Sequence, residues 1–292
     1  MDFQDEAADC NSNAAGSNIA GGNPEGTPEQ GSISKLLRNI RGIIFDFDGT
    51  LFDNVLIPFR LISACPFDML RVWKERLIRK SFTGCDYSTP QEYYQAFFTA
   101  FGKACFRSPE HMRNWYFKRY MPRMIRMLKK HYKFRPGAIE LLKRFEDISD
   151  GKAAGSMPLV SKIAIYSDYP LLKERLEALG FTPGPHIRLY GPESFGAQKP
   201  AVRPFRVIAG DLGVKPEEVL VIGDREDTDG LGAFKAGMRF FCLETGRKRY
   251  YRLDPYRRRP MKDGQPQGPA LLMYAGAWDE LARLLKKEWG AT

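Results

Sequence analysis

The chain is expected to fold as an α/β protein, a doubly wound parallel sheet with an all-helical segment inserted after its first strand. Three observations predict this. Four apolar segments, 42–47, 162–167, 187–190 and 219–224, have the length and β-branched content of buried strands, and each ends in polar residues. Helical patterns lie between the later ones, and strands alternating with helices imply parallel pairing with right-handed crossovers. The stretch 54–133 breaks the alternation with aromatic-rich helical patterns and no strand signal.

Taken in order, residues 1–34 hold six Asp and Glu with no Lys or Arg, and are rich in Gly, Asn, Ser and Ala. Such a composition predicts a disordered acidic tail with no role in the fold. The first strand, Ile43 to Phe47, runs into Asp48-Gly49. Asp-Gly also suits a hairpin turn, which is the simplest alternative reading of this spot. In the inserted segment, Thr89-Pro90-Gln91-Glu92 is a capping box with proline at the first helical position, opening a helix to about Gly102. Ser108-Pro109-Glu110 opens another that reaches about Tyr132, with a bend expected at Pro122. Pro136-Gly137 then precedes a helix over Ala138 to Asp147, and Pro170 precedes one over Leu171 to Leu179. Arg203 to Leu212 stops at Gly213, Thr228 to Ala236 stops at Gly237, and Ala270 to Lys287 supplies a closing strand and helix. The resulting division is a tail over 1–34, an α/β core over 35–53 and 134–292, and an all-helical insertion over 54–133.

Composition excludes several classes. At 292 residues the chain is long enough for a sizeable core and needs no staple. Its five cysteines form no CxxC pair and its three histidines lie far apart, which argues against zinc. No targeting sequence or membrane-length apolar run is present, so a cytoplasmic protein with no membrane association is expected. The net charge of +10 is uneven: residues 54–135 carry 17 Lys and Arg against 5 Asp and Glu, and a second basic cluster spans 247–262. Such patches attract anions, whether small phosphoesters or nucleic acid, although either is also compatible with a solvated helix face.

The chemistry-bearing residues fall at the strand ends. Asp46 and Asp48 are two apart, which puts both carboxylates on one side of an extended backbone. Ser167 offers a hydroxyl, Lys199 in "GAQKP" a compact cation, and "IGDREDTD" places Asp224 and Asp229 after the fourth strand. In an open α/β sheet, ligands bind at the carboxyl ends of the strands. Carboxylates crowded together in this way suit Mg²⁺, which prefers oxygen ligands.

"DFDGTLFDN", the isolated Ser167, the Lys199-Pro200 pair and "VLVIGDREDTDGLGAFKAGM" resemble, in order, the four motifs of the haloacid dehalogenase-like (HAD) hydrolase superfamily. "FRPGAIELLKRF" is similar to the return from a helical cap in the phosphoglycolate phosphatase and β-phosphoglucomutase branch, and the resemblance covers about residues 40–246. It implies a Rossmann-like core and a Mg²⁺-dependent phosphomonoester hydrolase acting on a small phosphorylated metabolite. Asp46 would be the nucleophile and form an aspartyl-phosphate, with Asp48 as general acid and base. Ser167 and Lys199 would bind the phosphoryl oxygens. Mg²⁺ would be held by Asp46, the main-chain carbonyl of Asp48, and Asp224, with Asp229 in support. A sugar phosphomutase would use the same residues, and a nucleic-acid-binding protein with a vestigial core is the alternative from another class, disfavoured by the complete motif set. The family's dehalogenases do not have the second acid, so Asp48 disfavours dehalogenation. Two positions depart from the pattern: Asp168 stands where Asn is usual, and Asn54 where Ser is common.

Overall fold

The computed structural model describes residues 37, 39–64, 66–150, 162–244 and 273–288. The acidic tail expected over 1–34 and the basic cluster of 247–262 lie outside the described residues.

Six strands form one sheet: β1 (Gly42–Asp46), β2 (Lys162–Tyr166), β3 (Ile187–Tyr190), β4 (Val219–Gly223), β5 (Arg239–Leu243) and β6 (Met273–Gly276). Their order is β3-β2-β1-β4-β5-β6, and every pairing is parallel. The hairpin reading of Asp48-Gly49 therefore fails, because β1 is flanked by β2 and β4 and continues into helices. Register sets the site. Asp46 lies opposite Tyr166 and Phe45 opposite Ile222, so Ser167 and Asp224 leave the sheet at the same edge as Asp46. The strand β5 has no counterpart among the four expected strands. Its apolar run is short and headed by Arg239, and pairing with β4 and β6 makes it a strand.

Alternation along β1 divides the core in two. Ile43 and Phe45 pack in one cluster with α6 (Ala138–Ser149), α7 (Leu172–Ala178) and α11 (Trp278–Glu288), through Leu142, Leu176 and Leu285 among others. Ile44 packs in the other with Phe205 and Ile208 of α9 (Val202–Leu212) and Ala233 of α10 (Leu231–Ala236). This is the two-sided burial that a parallel sheet requires. A single turn, α8 (Pro192–Phe195), follows β3.

Between β1 and α6 the described residues form five α-helices: α1 (Ile57–Ala64), α2 (Met69–Ser81), α3 (Pro90–Cys105), α4 (Pro109–Trp115) and α5 (Met121–His131). Thr89 and Ser108 cap α3 and α4 as the sequence predicts, their hydroxyls accepting from the backbone N–H of Glu92 and His111, each at 3.2 Å. The helix expected to run on to about Tyr132 is irregular before Pro122. A π-helical turn over Tyr116–Tyr120 interrupts the helix one step earlier, and Pro122 sits in the first turn of α5. Proline offers no N–H to the preceding turn and its ring would clash there, so the wide turn absorbs the mismatch before the proline is reached. Tyr93, Phe97, Phe98, Phe101, Trp115, Tyr116 and Tyr120 are buried and form a continuous aromatic core. No helix among the described residues is long and apolar enough to cross a membrane.

Candidate active site

Residues at the carboxyl ends of β1, β2 and β4 converge on one buried cluster. Asp46, the last residue of β1, accepts a hydrogen bond from Lys199 Nζ on Oδ1 at 2.5 Å and from Thr50 Oγ1 on Oδ2 at 2.8 Å. The turn that returns Thr50 to Asp46 needs a glycine. Gly49 has φ +97°, and a Cβ there would stand 2.2 Å from Asp224 Oδ2 and 2.8 Å from the amide of Asn54. Arg135, just after the insertion, donates to the carbonyls of Thr50 and Gly49, each at 2.8 Å, and so fixes this loop from outside.

Lys199 reaches the cluster from the loop after α8. Its ammonium donates to Asp46 and to the carbonyl of Tyr166 at 3.0 Å, and pairs with Asp229 at 2.7 Å. Burial alone would push this ammonium's pKa down, but the carboxylates of Asp229, Asp46 and Asp168 outweigh it and hold the group charged. The loop is fastened to the insertion: Tyr87 N–H donates to Gly196 O, Gln198 N–H to Cys85 O and Gly84 N–H to Lys199 O, at 3.0, 3.0 and 3.1 Å.

Asp46, Asp224 and Asp229 are all buried, and each offers a carboxylate oxygen within 4.8 Å of the others. Burial, and then the charge of Asp229, pushes the Asp46 carboxyl up to about 7 against the opposing pull of Lys199. Burial likewise raises Asp229, with Lys199 opposing and Asp224 adding to the shift. Three buried carboxylates, two of them on the Lys199 ammonium, leave an excess of negative charge in a set of hard oxygen donors. That donor set fits a small divalent cation such as Mg²⁺. Asp229, expected in a supporting place, stands within the acidic cluster itself.

Asp48 lies beyond the end of β1, so strand alternation does not set its side chain, and its partners differ from those of Asp46. Its Oδ2 accepts from Ser167 Oγ at 2.8 Å and its Oδ1 is paired with Arg175. Ser167, wholly buried just beyond β2, accepts from the N–H of Tyr169 at 3.1 Å and from Arg175 Nη1 at 2.9 Å. Asp168, where an asparagine is more usual, directs Oδ1 to the backbone N–H of Lys199 at 3.0 Å. Its carboxylate thus braces the lysine loop. Its main-chain carbonyl accepts from Arg79 Nη1 at 2.9 Å, a contact from the helical insertion onto the Ser167 loop.

All six residues singled out from sequence, Asp46, Asp48, Ser167, Lys199, Asp224 and Asp229, therefore meet in one place, in two linked groups. Sequence reasoning missed Arg175, Thr50, Arg135 and Arg79. For Arg175 a signal exists: it occupies the buried stripe of α7 with Leu172, Leu176 and Leu179, where a charge is out of place. Thr50 and Arg135 act through loop contacts that no periodicity reveals.

A 63-residue stretch is 41% identical to the glyceraldehyde 3-phosphate phosphatase of Methanopyrus kandleri, taking in 22% of this chain and 26% of that protein, so the chain spans about a quarter of that curated relative. Among solved structures it is similar to a putative HAD-hydrolase from Bacillus subtilis, at 15% identity over 85% of this chain and 99% of that one, with a TM-score of 0.49. It is also similar to a putative β-phosphoglucomutase from Thermotoga maritima, at 18% identity over 85% and 99% of the two chains, with a TM-score of 0.44. The family model for haloacid dehalogenase-like hydrolases matches residues 40–237, more than half of the chain, with all six site residues inside it. The chain belongs to the haloacid dehalogenase-like hydrolase family.

Proposed function

We propose that this chain is a Mg²⁺-dependent phosphomonoester hydrolase that forms an aspartyl-phosphate on Asp46 and acts on a small phosphorylated metabolite. The observation that carries the reading is Asp46 itself, a buried carboxylate with one oxygen on Lys199 and the other on Thr50, two residues from a second acid. In the first step a carboxylate oxygen of Asp46 attacks phosphorus, the ester P–O bond breaks, and Asp48 passes a proton to the leaving oxygen. In the second step a water attacks the phosphorus of the acyl phosphate, Asp48 takes the water's proton, the P–O bond to Asp46 breaks to return its carboxylate, and inorganic phosphate leaves. Ser167 and Lys199 bind the phosphoryl oxygens. Asp46, Asp224 and the main-chain carbonyl of Asp48 hold Mg²⁺, with Asp229 beside them. The bound ion supplies charge neutralisation to the transferring group.

The helical insertion serves as the cap that excludes water and selects the leaving group. Support comes from its contacts with the Ser167 and Lys199 loops, through Arg79 and the backbone of Gly84 to Tyr87. The reading is tested by phosphate release from a panel of phosphoesters with Mg²⁺. The named activity of the Methanopyrus kandleri relative makes glyceraldehyde 3-phosphate the first ester to try. Asp46→Asn is expected to abolish turnover, and retention of more than about a tenth of the rate would remove Asp46 as nucleophile, since each ~1.4 kcal/mol of barrier is tenfold. Interconversion of isomeric sugar phosphates with negligible phosphate release would replace hydrolysis by mutase chemistry.

A further inference from the structure

Arg175 has no part in the reaction as written, yet it is wholly buried and lies between the two groups that reaction uses. One nitrogen, Nη1, donates to Ser167 Oγ at 2.9 Å, and the other, Nη2, pairs with Asp48 Oδ1. The guanidinium carbon sits 4.7 Å from the centre of the Phe47 ring and 5.4 Å from that of Tyr169, so two aromatic rings pack near it. Its Nε–H has no hydrogen-bond partner among the described residues. A buried cation with an unsatisfied N–H is a poor choice for filling a core. The chain leading to it is also strained: Leu171, which opens α7, has φ +57°, a left-handed conformation unfavourable for leucine.

Counting donors around Ser167 gives the arrangement a meaning. A serine hydroxyl has one proton to give and two lone pairs with which to accept. Both acceptor sites are filled, one by the N–H of Tyr169 and one by Arg175. Ser167 is thereby left only its proton to offer, and here it offers it to Asp48. We infer that Arg175 is a positioning residue for phosphoryl transfer: it makes Ser167 an obligate donor toward a phosphoryl oxygen and, through its second nitrogen, sets Asp48 beside the same group. The inference rests on the phosphomonoesterase reading above and adds to it a residue that acts on binding through Ser167 and on the proton transfers through Asp48.

The test uses the full chain with Mg²⁺, inorganic phosphate as the competing ligand, and the best ester from the panel. Arg175→Met keeps the length of the side chain and removes every donor. The expected result is a rise of about tenfold in the inhibition constant for phosphate, the scale of one charge-assisted hydrogen bond, together with a fall in kcat. On a Ser167→Ala background the same substitution should raise that constant by less than about twofold, because its route to the ligand has gone. A merely structural arginine would lower the melting temperature and leave the phosphate constant unchanged on both backgrounds, which would overturn the inference, as would equal rises on both. If Arg175→Met does not fold, Arg175→Lys carries the test, since a shorter ammonium cannot reproduce the two-pronged contact. Wild-type values for phosphate binding and kcat in Arg175→Lys would reject it. Failure of the underlying reading is separate: wild-type protein would then release phosphate from no ester.

Discussion

Replacing Glu75 by leucine should destabilise the protein more than any substitution on the outer face of α2, and the structure gives the size. Glu75 is wholly buried. It accepts Arg79 Nε at 2.8 Å, Arg79 Nη2 at 2.6 Å and the hydroxyl of Tyr120 at 3.1 Å. Arg79 is itself buried, and its other contacts include Tyr116 OH, the carbonyl of Asp168 and the rings of Tyr169, Phe97 and Tyr116. Glu75 is the largest of the charges that hold the guanidinium ionised. Removing one member of a buried ion pair costs about 3–5 kcal/mol, because the other charge is left desolvated and unpaired. For a chain of this size that corresponds to a melting temperature lower by roughly 6–20 °C. Arg79→Met should cost a similar amount by leaving Glu75 unpaired. The double substitution Glu75→Leu with Arg79→Met leaves no orphan charge, so its cost should fall short of the sum of the singles by a few kcal/mol, on the order of the pair's coupling. Thermal and urea unfolding followed by tryptophan fluorescence reports on the insertion through Trp73 and Trp115, and circular dichroism on the whole chain. A loss below about 1 kcal/mol for Glu75→Leu, or strict additivity in the double variant, would refute the reasoning, since a paired charge in a dry core cannot be removed so cheaply.

Gly49→Ala should cut Mg²⁺-dependent activity at least about tenfold, because the new Cβ displaces Asp224 and an ångström of misplacement is costly; a Mg²⁺ titration of initial rates checks it, and unaltered rates would mean that the turn can relax. Mg²⁺ itself should stabilise the protein, by ~2.7 kcal/mol at a hundredfold excess over its dissociation constant, and Asp224→Asn should abolish that shift in melts compared with and without EDTA. At Asp68, burial pushes the carboxyl up, but hydrogen bonds from Arg123 and Arg71 outweigh it and hold it below the usual range. A lowered pKa stabilises the fold above the ordinary carboxylate value near 3.8 and loses that contribution as the pH falls through the folded value. Asp68→Asn should therefore cost about 1–3 kcal/mol at pH 7 and lose less stability on acidification than the wild type, as measured by urea unfolding across pH 3 to 7; parallel losses would show that the pair adds nothing.

Much of the fold was legible in the sequence because the signals involved are local. Runs such as Gly42 to Phe47 and Val219 to Asp224 bury both faces of a parallel strand, and their polar ends mark the edge where chemistry belongs. Thr89 and Ser108 announce their helices because a hydroxyl satisfies a free N–H within the same turn. For that reason order and spacing along the strand ends single out Asp46, Asp48, Ser167, Lys199, Asp224 and Asp229, which lie at one edge of the sheet in two linked groups. What the sequence left undetermined depends on contacts between distant segments. β5 is a strand because neighbours pair with it, and the helix of 108–132 widens at Tyr116–Tyr120 because Pro122 must be accommodated within a packed aromatic core. Which charge meets which was equally hidden. Arg175 joins Asp48 across 127 positions and Lys199 joins Asp46 across 153. Those separations carry no periodicity, so the division of the site into an acidic group around Lys199 and a second group around Arg175 was decided by the register of β1 against β2 and β4, which alone brings their carboxyl ends level.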